Sequence, residues 1–226
     1  MAEVFYGEES TAASFKELLN FLKWCEKNLS VNPFIVGGWA VFAFAGKQKS
    51  LDVDVVFKSR KEMDNAMNRY FKENGFQIEE FHDQQTHFVK IVKTPVGLAE
   101  IRFDYYCFED ENRLVESNQV SVPWSLLEKN SVEKQINGLK MRLPSPELLL
   151  LFKAKALRDR QAFLDARGIR IDATIRARTK SKILKDKADI KDLLESVKMN
   201  QAKIKGLLKQ TNFSKYFEQT MKEKNE

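Results

Sequence analysis

Two apolar segments separated by a short gap constrain this chain more than anything else in it. Residues 34–41 read Phe-Ile-Val-Gly-Gly-Trp-Ala-Val, and residues 50–57 read Ser-Leu-Asp-Val-Asp-Val-Val-Phe. The first is a strand that breaks at two adjacent glycines. The second is a strand carrying two carboxylates one residue apart. Side chains alternate across a strand, so Asp52 and Asp54 share one face while Val53 and Val55 point into the core. Two carboxylates held together beside a glycine turn open enough for phosphate oxygens point to a divalent metal.

Composition narrows the chemistry. The 226 residues are 43% hydrophobic and 31% charged, enough for one good core with a helical appendage. The N-terminus carries Glu3, Glu8 and Glu9 rather than a basic segment followed by an apolar run, and no window approaches a membrane span, so a soluble, cytoplasmic protein is expected. Cys25 and Cys107 are too few for a disulfide framework and too isolated for a zinc site; both are expected to be buried and reduced. His82 and His87 are the two histidines, which removes most Ser/His/Asp, Cys/His and histidine-rich metal schemes. Carboxylates must therefore carry any catalysis.

The pattern predicts an ordered series of elements. Ser14 with Glu17 reads as a capping box opening a helix that ends near Leu29, with Leu18, Leu19, Leu22 and Cys25 at helical spacing. A strand over 34–37, a glycine turn, a short helix over 39–45 and the aspartate strand over 51–57 follow. Ser59 and Glu62 form a second capping box, with Met63, Ala66, Met67, Tyr70 and Phe71 as its apolar stripe and Gly75 as its stop. Strands are predicted at 76–81, 87–93 and 98–107, the last two joined as a hairpin through Thr94, Pro95, Val96 and Gly97. The stretch 108–138 reads as variable, with a short strand at 139–143. Ser145 as N-cap and Pro146 at the first helical position open a helix through Leu157. Further helices are predicted from about 184 and around 201–220.

The strand at 98–107 puts Ile101, Phe103 and Tyr105 on one face and Glu100, Arg102 and Asp104 on the other. If it lies beside the Asp52/Asp54 strand, Asp104 or Glu100 completes a cluster of three carboxylates, and Asp104, between Phe103 and Tyr105, is favoured. Lys153, Ala156 and Arg160 share one helical face, able to aim cations inward. Charge divides near residue 150: 18 basic and 22 acidic side chains before it, 20 basic and 10 acidic after it. The segment 161–183, with Arg167, Arg170, Arg176, Arg178, Lys180 and Lys182, reads as a mobile connector or an RNA-facing arm.

This combination resembles the nucleotidyltransferase superfamily related to DNA polymerase beta, whose signature is a Gly-Gly or Gly-Ser turn followed about a dozen residues later by Asp-x-Asp. Gly37 and Gly38 stand in that relation to Asp52 and Asp54. The nearest likeness is to the AbiEii-like enzymes and toxins, through Pro146 to Lys153, Ala156, Arg160, Lys185, Asp186 and Asp189; a secondary one, to aminoglycoside nucleotidyltransferases, lies in residues 37–41. The resemblance spans roughly 30–195. It implies an α+β fold, with a mixed β-sheet nucleotidyltransferase core and flanking helices over 1–143 followed by a basic C-terminal helical region over 144–226. Two departures stand out. Lys47, Gln48, Lys49 and Ser50 replace the usual arginine or threonine before the first aspartate, and the interval between Arg160 and Lys185 is longer than the group's norm, which leaves the role of Asp186 and Asp189 open.

Attack of a hydroxyl on an α-phosphorus needs in-line positioning and charge neutralisation more than a side-chain nucleophile, in keeping with the scarcity of His and Cys. The expectation is transfer of a nucleoside monophosphate from a triphosphate to an acceptor hydroxyl on a tRNA or RNA end, a protein or a small molecule. Asp52, Asp54 and Asp104 are expected to hold Mg²⁺ or Mn²⁺, with Asp104 activating the acceptor. Gly37, Gly38, Ser50, Lys49 and Lys153 are expected to bind the nucleotide, while Trp39 packs. The contrasting expectation is an inactive module of the same fold that uses its basic helices to hold RNA or a partner protein.

Overall fold

The computed structural model describes residues 7–47, 49–80, 86–107, 122–166 and 171–223. Helix α1 (Glu8–Leu29) begins at Gly7, with Glu8 and Glu9 in its first turn where carboxylates complement the helix dipole. The capping box expected at Ser14 is not one. Ser14 lies fully buried inside α1, its hydroxyl donating to the Leu51 carbonyl at 2.7 Å and accepting from Trp39 Nε1 at 3.2 Å. A residue pattern suited to a helix start is spent instead on fastening α1 to the approach of the aspartate strand.

Among the described residues seven strands form one mixed sheet in the order β3-β4-β5-β2-β1-β7-β6. They are β1 (Phe34–Ile35), β2 (Asp52–Phe57), β3 (Gln77–Glu80), β4 (Thr86–Thr94), β5 (Gly97–Cys107), β6 (Ser131–Ile136) and β7 (Leu139–Pro144). β5 runs parallel to β2, whereas β4 and β5 form the expected antiparallel hairpin through residues 94–97. The strand expected over 34–37 stops at Ile35, because helix α2 (Gly37–Ala45) starts at the first glycine. Ser59 caps α3 (Arg60–Asn65) by accepting from the Glu62 amide at 3.3 Å, and a π-helical segment (Ala66–Phe71) continues it. Gly75, at φ +73°, follows as the stop.

Part of the stretch read as variable is ordered. Residues 108–121 lie outside the described residues, but α4 (Trp124–Lys129) and β6 follow them. The missed signal is Asn137-Gly138, both at positive φ (49° and 78°), the residue pair that a two-residue hairpin between β6 and β7 demands. The connector expected at 161–183 is also mostly helical. α5 (Pro146–Asp165), capped by Ser145, runs past Leu157, and α6 (Ala173–Ser196) opens at Asp172, whose carboxylate accepts from the Thr174 amide at 2.8 Å. Arg167 and Arg170 fall outside the described residues. Helices α7 (Gln201–Thr211) and α8 (Ser214–Glu223) follow.

The two sheet faces carry different cores. One face receives α1, α2 and α3 in a cluster rich in aromatic rings: Phe71 stacks on Phe88 at 4.3 Å between centroids, and Phe21 meets Phe103 edge-on at 5.3 Å. The other packs Phe34 and Val56 against α4 to α7 through Leu148, Ala154, Ile190 and Ile204. Trp39 and both cysteines are buried, as expected, and burial pushes the Cys25 thiol up to about 12. No helix among the described residues is long and apolar enough to cross a membrane.

Candidate active site

Parallel pairing of β2 with β5 sets Asp54 directly across from Asp104 and Asp52 across from Arg102. Directly opposed residues share a face, so Asp52, Asp54 and Asp104 rise together on the α5/α6 side of the sheet. Glu100, the alternative third carboxylate, lies before the paired stretch of β2. It is exposed and accepts from Arg102 at 2.9 Å. Asp104 is thus the residue the fold brings to the pair. On its other side it pairs across β4 with His87, whose Nδ1 meets Asp104 Oδ1.

The two glycines are explained by the protein's own side chains. Gly37 adopts φ +64°, and a Cβ there would overlap the Asp54 carboxylate. A Cβ on Gly38 would lie 2.6 Å from Ser50 Oγ and 3.4 Å from Lys185 Nζ. The turn therefore lets a carboxylate, a hydroxyl and an ammonium close on the first turn of α2. Ser50 itself is buried and donates to the Asp52 carbonyl at 3.0 Å.

Opposite the carboxylates stands a buried ionic network on α5 and α6. Lys182, Lys185, Asp186 and Asp189 recur at spacings of three and four, which puts them on one helical face. Lys153 Nζ lies 2.7 Å from Asp189 Oδ2 and 3.4 Å from Asp186 Oδ1. Lys185 Nζ donates to Asp189 Oδ1 at 2.9 Å, and Arg160 pairs with Asp186. Buried charges of this kind persist because each is paired. Asp186 and Asp189, whose role the sequence leaves open, are the holders of these cations. Burial draws the Lys185 ammonium below the ordinary lysine range, against the pull of Asp189 and Asp54, with Lys153 adding to the depression.

Lys182, which sequence reading assigned only to the basic segment, extends its ammonium to within 3.8 Å of Asp52 Oδ2. Its spacing from Lys185 and Asp189 was the available signal. Lys49 goes elsewhere: its ammonium lies 3.4 Å from Glu8 on α1. Burial, then Asp104, then Asp52 push the Asp54 carboxyl up to about 7, only partly offset by Lys153 and Lys182. As they stand, no three His, Cys, Asp or Glu side chains among the described residues are grouped closely enough to ligate one ion.

A glycine turn, an Asp-x-Asp strand and a parallel neighbour bearing a third aspartate define a nucleotidyltransferase fold, and a solved structure agrees. The antigenic nucleotidyltransferase-like protein from Paracoccidioides brasiliensis superposes with a TM-score of 0.52 at 16% identity, covering 94% of this chain and 93% of that one. The lincosamide antibiotic adenylyltransferase LnuA, solved with lincomycin, is similar at 20% identity and a TM-score of 0.45, over 80% of this chain and 97% of its own. The antibiotic-resistance factor ANT(2'')-Ia, solved with adenylyl-2''-tobramycin, is similar at 14% identity and a TM-score of 0.37, over 79% of this chain and 96% of its own. No curated protein sequence matches the chain. The sequence profile of the aminoglycoside-2''-adenylyltransferase family matches residues 18–163, well over half of the chain. The protein belongs to that family and is a nucleotidyltransferase. The match includes α2, β2, β5 and most of α5, and ends before α6. It agrees with the secondary likeness seen in residues 37–41 and lends no support to an AbiEii-like grouping, a toxin role or an RNA acceptor.

Proposed function

We propose that this enzyme transfers a nucleoside monophosphate from a triphosphate to a hydroxyl of a small molecule of the aminoglycoside kind, with Asp52, Asp54 and Asp104 as its acidic centre. The observation that carries the reading is the register pairing of Asp54 with Asp104, with Asp52 on the same face and the ammonium groups of α5 and α6 opposite. Family membership supports the class of acceptor.

The donor set fits a divalent cation. Carboxylate oxygens are hard ligands suited to Mg²⁺ or Mn²⁺, and the Asp54 carboxyl, raised first by burial and then by Asp104 and Asp52, stands where such an ion would offset both. Asp52, Asp54 and Asp104 would hold it after side-chain adjustment. When bound, it supplies charge neutralisation at the phosphates and assists ionisation of the acceptor. Asp104 takes the proton of the acceptor hydroxyl as its oxygen bonds to the α-phosphorus. The bond to the bridging oxygen then breaks, and pyrophosphate leaves with its electron pair. Lys182, the most accessible of the facing cations, meets the triphosphate charge, while Lys153 and Lys185 set the field from behind it. The first amides of α2, at Gly38 and Trp39, offer donors to phosphate oxygens at a helix N-terminus.

The test is direct. Purified protein incubated with Mg²⁺, each nucleoside triphosphate in turn, and tobramycin or lincomycin is expected to release pyrophosphate and yield a nucleotidylated acceptor in the mass spectrum. Asp54→Asn should abolish both products while the circular dichroism spectrum is unchanged. Transfer at the wild-type rate by Asp54→Asn would remove the acidic centre from the mechanism.

A further inference from the structure

His87 is one of two histidines in the chain, and it is buried at 6% exposure on the site face of β4. Its backbone register sets it directly across from Asp104, just as Asp104 is set across from Asp54. The three residues therefore form a row across adjacent strands. A carboxylate oxygen can only accept, so the Nδ1 that meets Asp104 Oδ1 carries the proton, and the imidazole is fixed in that tautomer or doubly protonated. Side-chain exposures of 7% for His87 and 14% for Asp104 leave little water to compete for this bond.

We infer that His87 is the positioning residue of Asp104: by engaging Oδ1 it fixes the carboxylate plane and reserves Oδ2 for the cation or the acceptor hydroxyl. This inference rests on the assignment of Asp104 to the acidic centre. The physical need is specific. Asp104 is the first half-buried residue of β5 after the buried Ile101, Arg102 and Phe103, and without a partner its carboxylate would be free to turn to either flank, including toward the Asp54 charge it repels. A hydrogen bond from a buried ring, set by strand register, removes that freedom. Partners that orient ligating carboxylates and histidines from behind are typically worth ~10–100-fold in metal affinity or activity.

The experiment uses the full-length chain and two readouts. Mn²⁺ alone is titrated calorimetrically into wild type, His87→Phe, His87→Asn and Asp104→Asn, and long-range ¹H–¹⁵N spectra of the labelled protein report the ring, with His82→Gln to assign the two histidines. The expected result is a His87 signal with Nδ1 protonated, whether as the neutral tautomer or the doubly protonated ring, that changes in Asp104→Asn. Mn²⁺ affinity should fall ~10–100-fold in His87→Phe and be largely restored in His87→Asn, whose amide nitrogen takes the place of Nδ1. With tobramycin or lincomycin as acceptor, kcat should fall alongside, with the KM for triphosphate within about threefold. Mn²⁺ affinity of His87→Phe within twofold of wild type, or a neutral ring protonated at Nε2 alone, overturns the inference. If His87→Phe does not fold, His87→Asn and His87→Gln carry the comparison, and equal loss in both overturns it. Failure of wild type itself to bind Mn²⁺ would instead strike the acidic centre, and the two failures are distinguishable.

Discussion

The two faces of the sheet solve opposite problems. On the α1 face, Phe21, Phe71, Phe88 and Phe103 interlock as rings, and polar groups are few and satisfied: Ser14 binds Leu51 and Trp39, and Tyr70 lies 3.3 Å from Glu17. Burial and the neighbouring Glu17 carboxylate hold the Tyr70 hydroxyl above its ordinary range, so it stays a neutral donor. On the α5/α6 face the same strands present carboxylates to one another, and helices answer with paired ammonium groups. One face gives up charge to gain packing; the other retains charge that packing alone would eliminate. Ring packing and ionisable groups thereby fall on opposite sides of the same strands, often at adjacent residues such as Phe103 and Asp104.

The contrast can be broken most sharply at Asp54. Asp54→Asn should lower kcat on the order of 10³-fold, the size of losing a group that stabilises developing charge, while the metal-free protein becomes more stable at pH 8 in a thermal melt, since a repelled buried carboxylate is removed. A loss of stability instead would mean that Asp54 holds the fold rather than the chemistry. On the opposite face Phe103→Ala should cost ~3–5 kcal/mol in denaturant unfolding, with the residual folded fraction retaining its kcat. Asp189→Asn crosses the division. It leaves Lys153 and Lys185 short of a buried partner and should cost ~3–5 kcal/mol as well as activity, so its effects ought to exceed those of either pure class in number of properties changed.

Acidity offers a subtler test. The Asp54 carboxyl is raised in the folded state from its ordinary value near 3.8 to about 7, so the folded protein binds this proton more tightly than the unfolded chain does. The associated stability is fully present below the unfolded value and disappears as pH rises through the folded one. In chelator, melting temperature should therefore rise as pH falls from 8 toward 5, and Mg²⁺ should flatten that slope. A slope unchanged in Asp54→Asn would assign it to another group. The smallest effect is expected at Lys182, which is partly exposed: Lys182→Gln should raise the KM for triphosphate about tenfold, with melting unchanged.

Much of this was legible in the sequence, for reasons that differ by element. Asp52 and Asp54 needed only strand alternation, and the 94–97 hairpin and the caps at Ser59 and Ser145 needed only local turn chemistry. Residues whose local signal serves a tertiary purpose misled: Ser14 looks like a cap and is a clasp. Lys49 shows the same limit from another side, since its nearness to Asp52 in sequence says nothing of direction, and its side chain turns to Glu8. Lys182 was hidden by its basic surroundings, because only the path of α6 across the sheet tells which lysine of the run faces Asp52. His87 was beyond reach for a related reason: no pattern within one strand discloses what stands across from it.

The pairing of β2 with β5, faced by α6, also sets the order in which the charges of this face are made. Asp54 and Asp104 are far apart along the chain, and the ammonium groups that answer them come later still. A growing polypeptide therefore emerges with its acidic strands, and the His87 partner of Asp104, ahead of the ammonium groups that face them from α5 and α6.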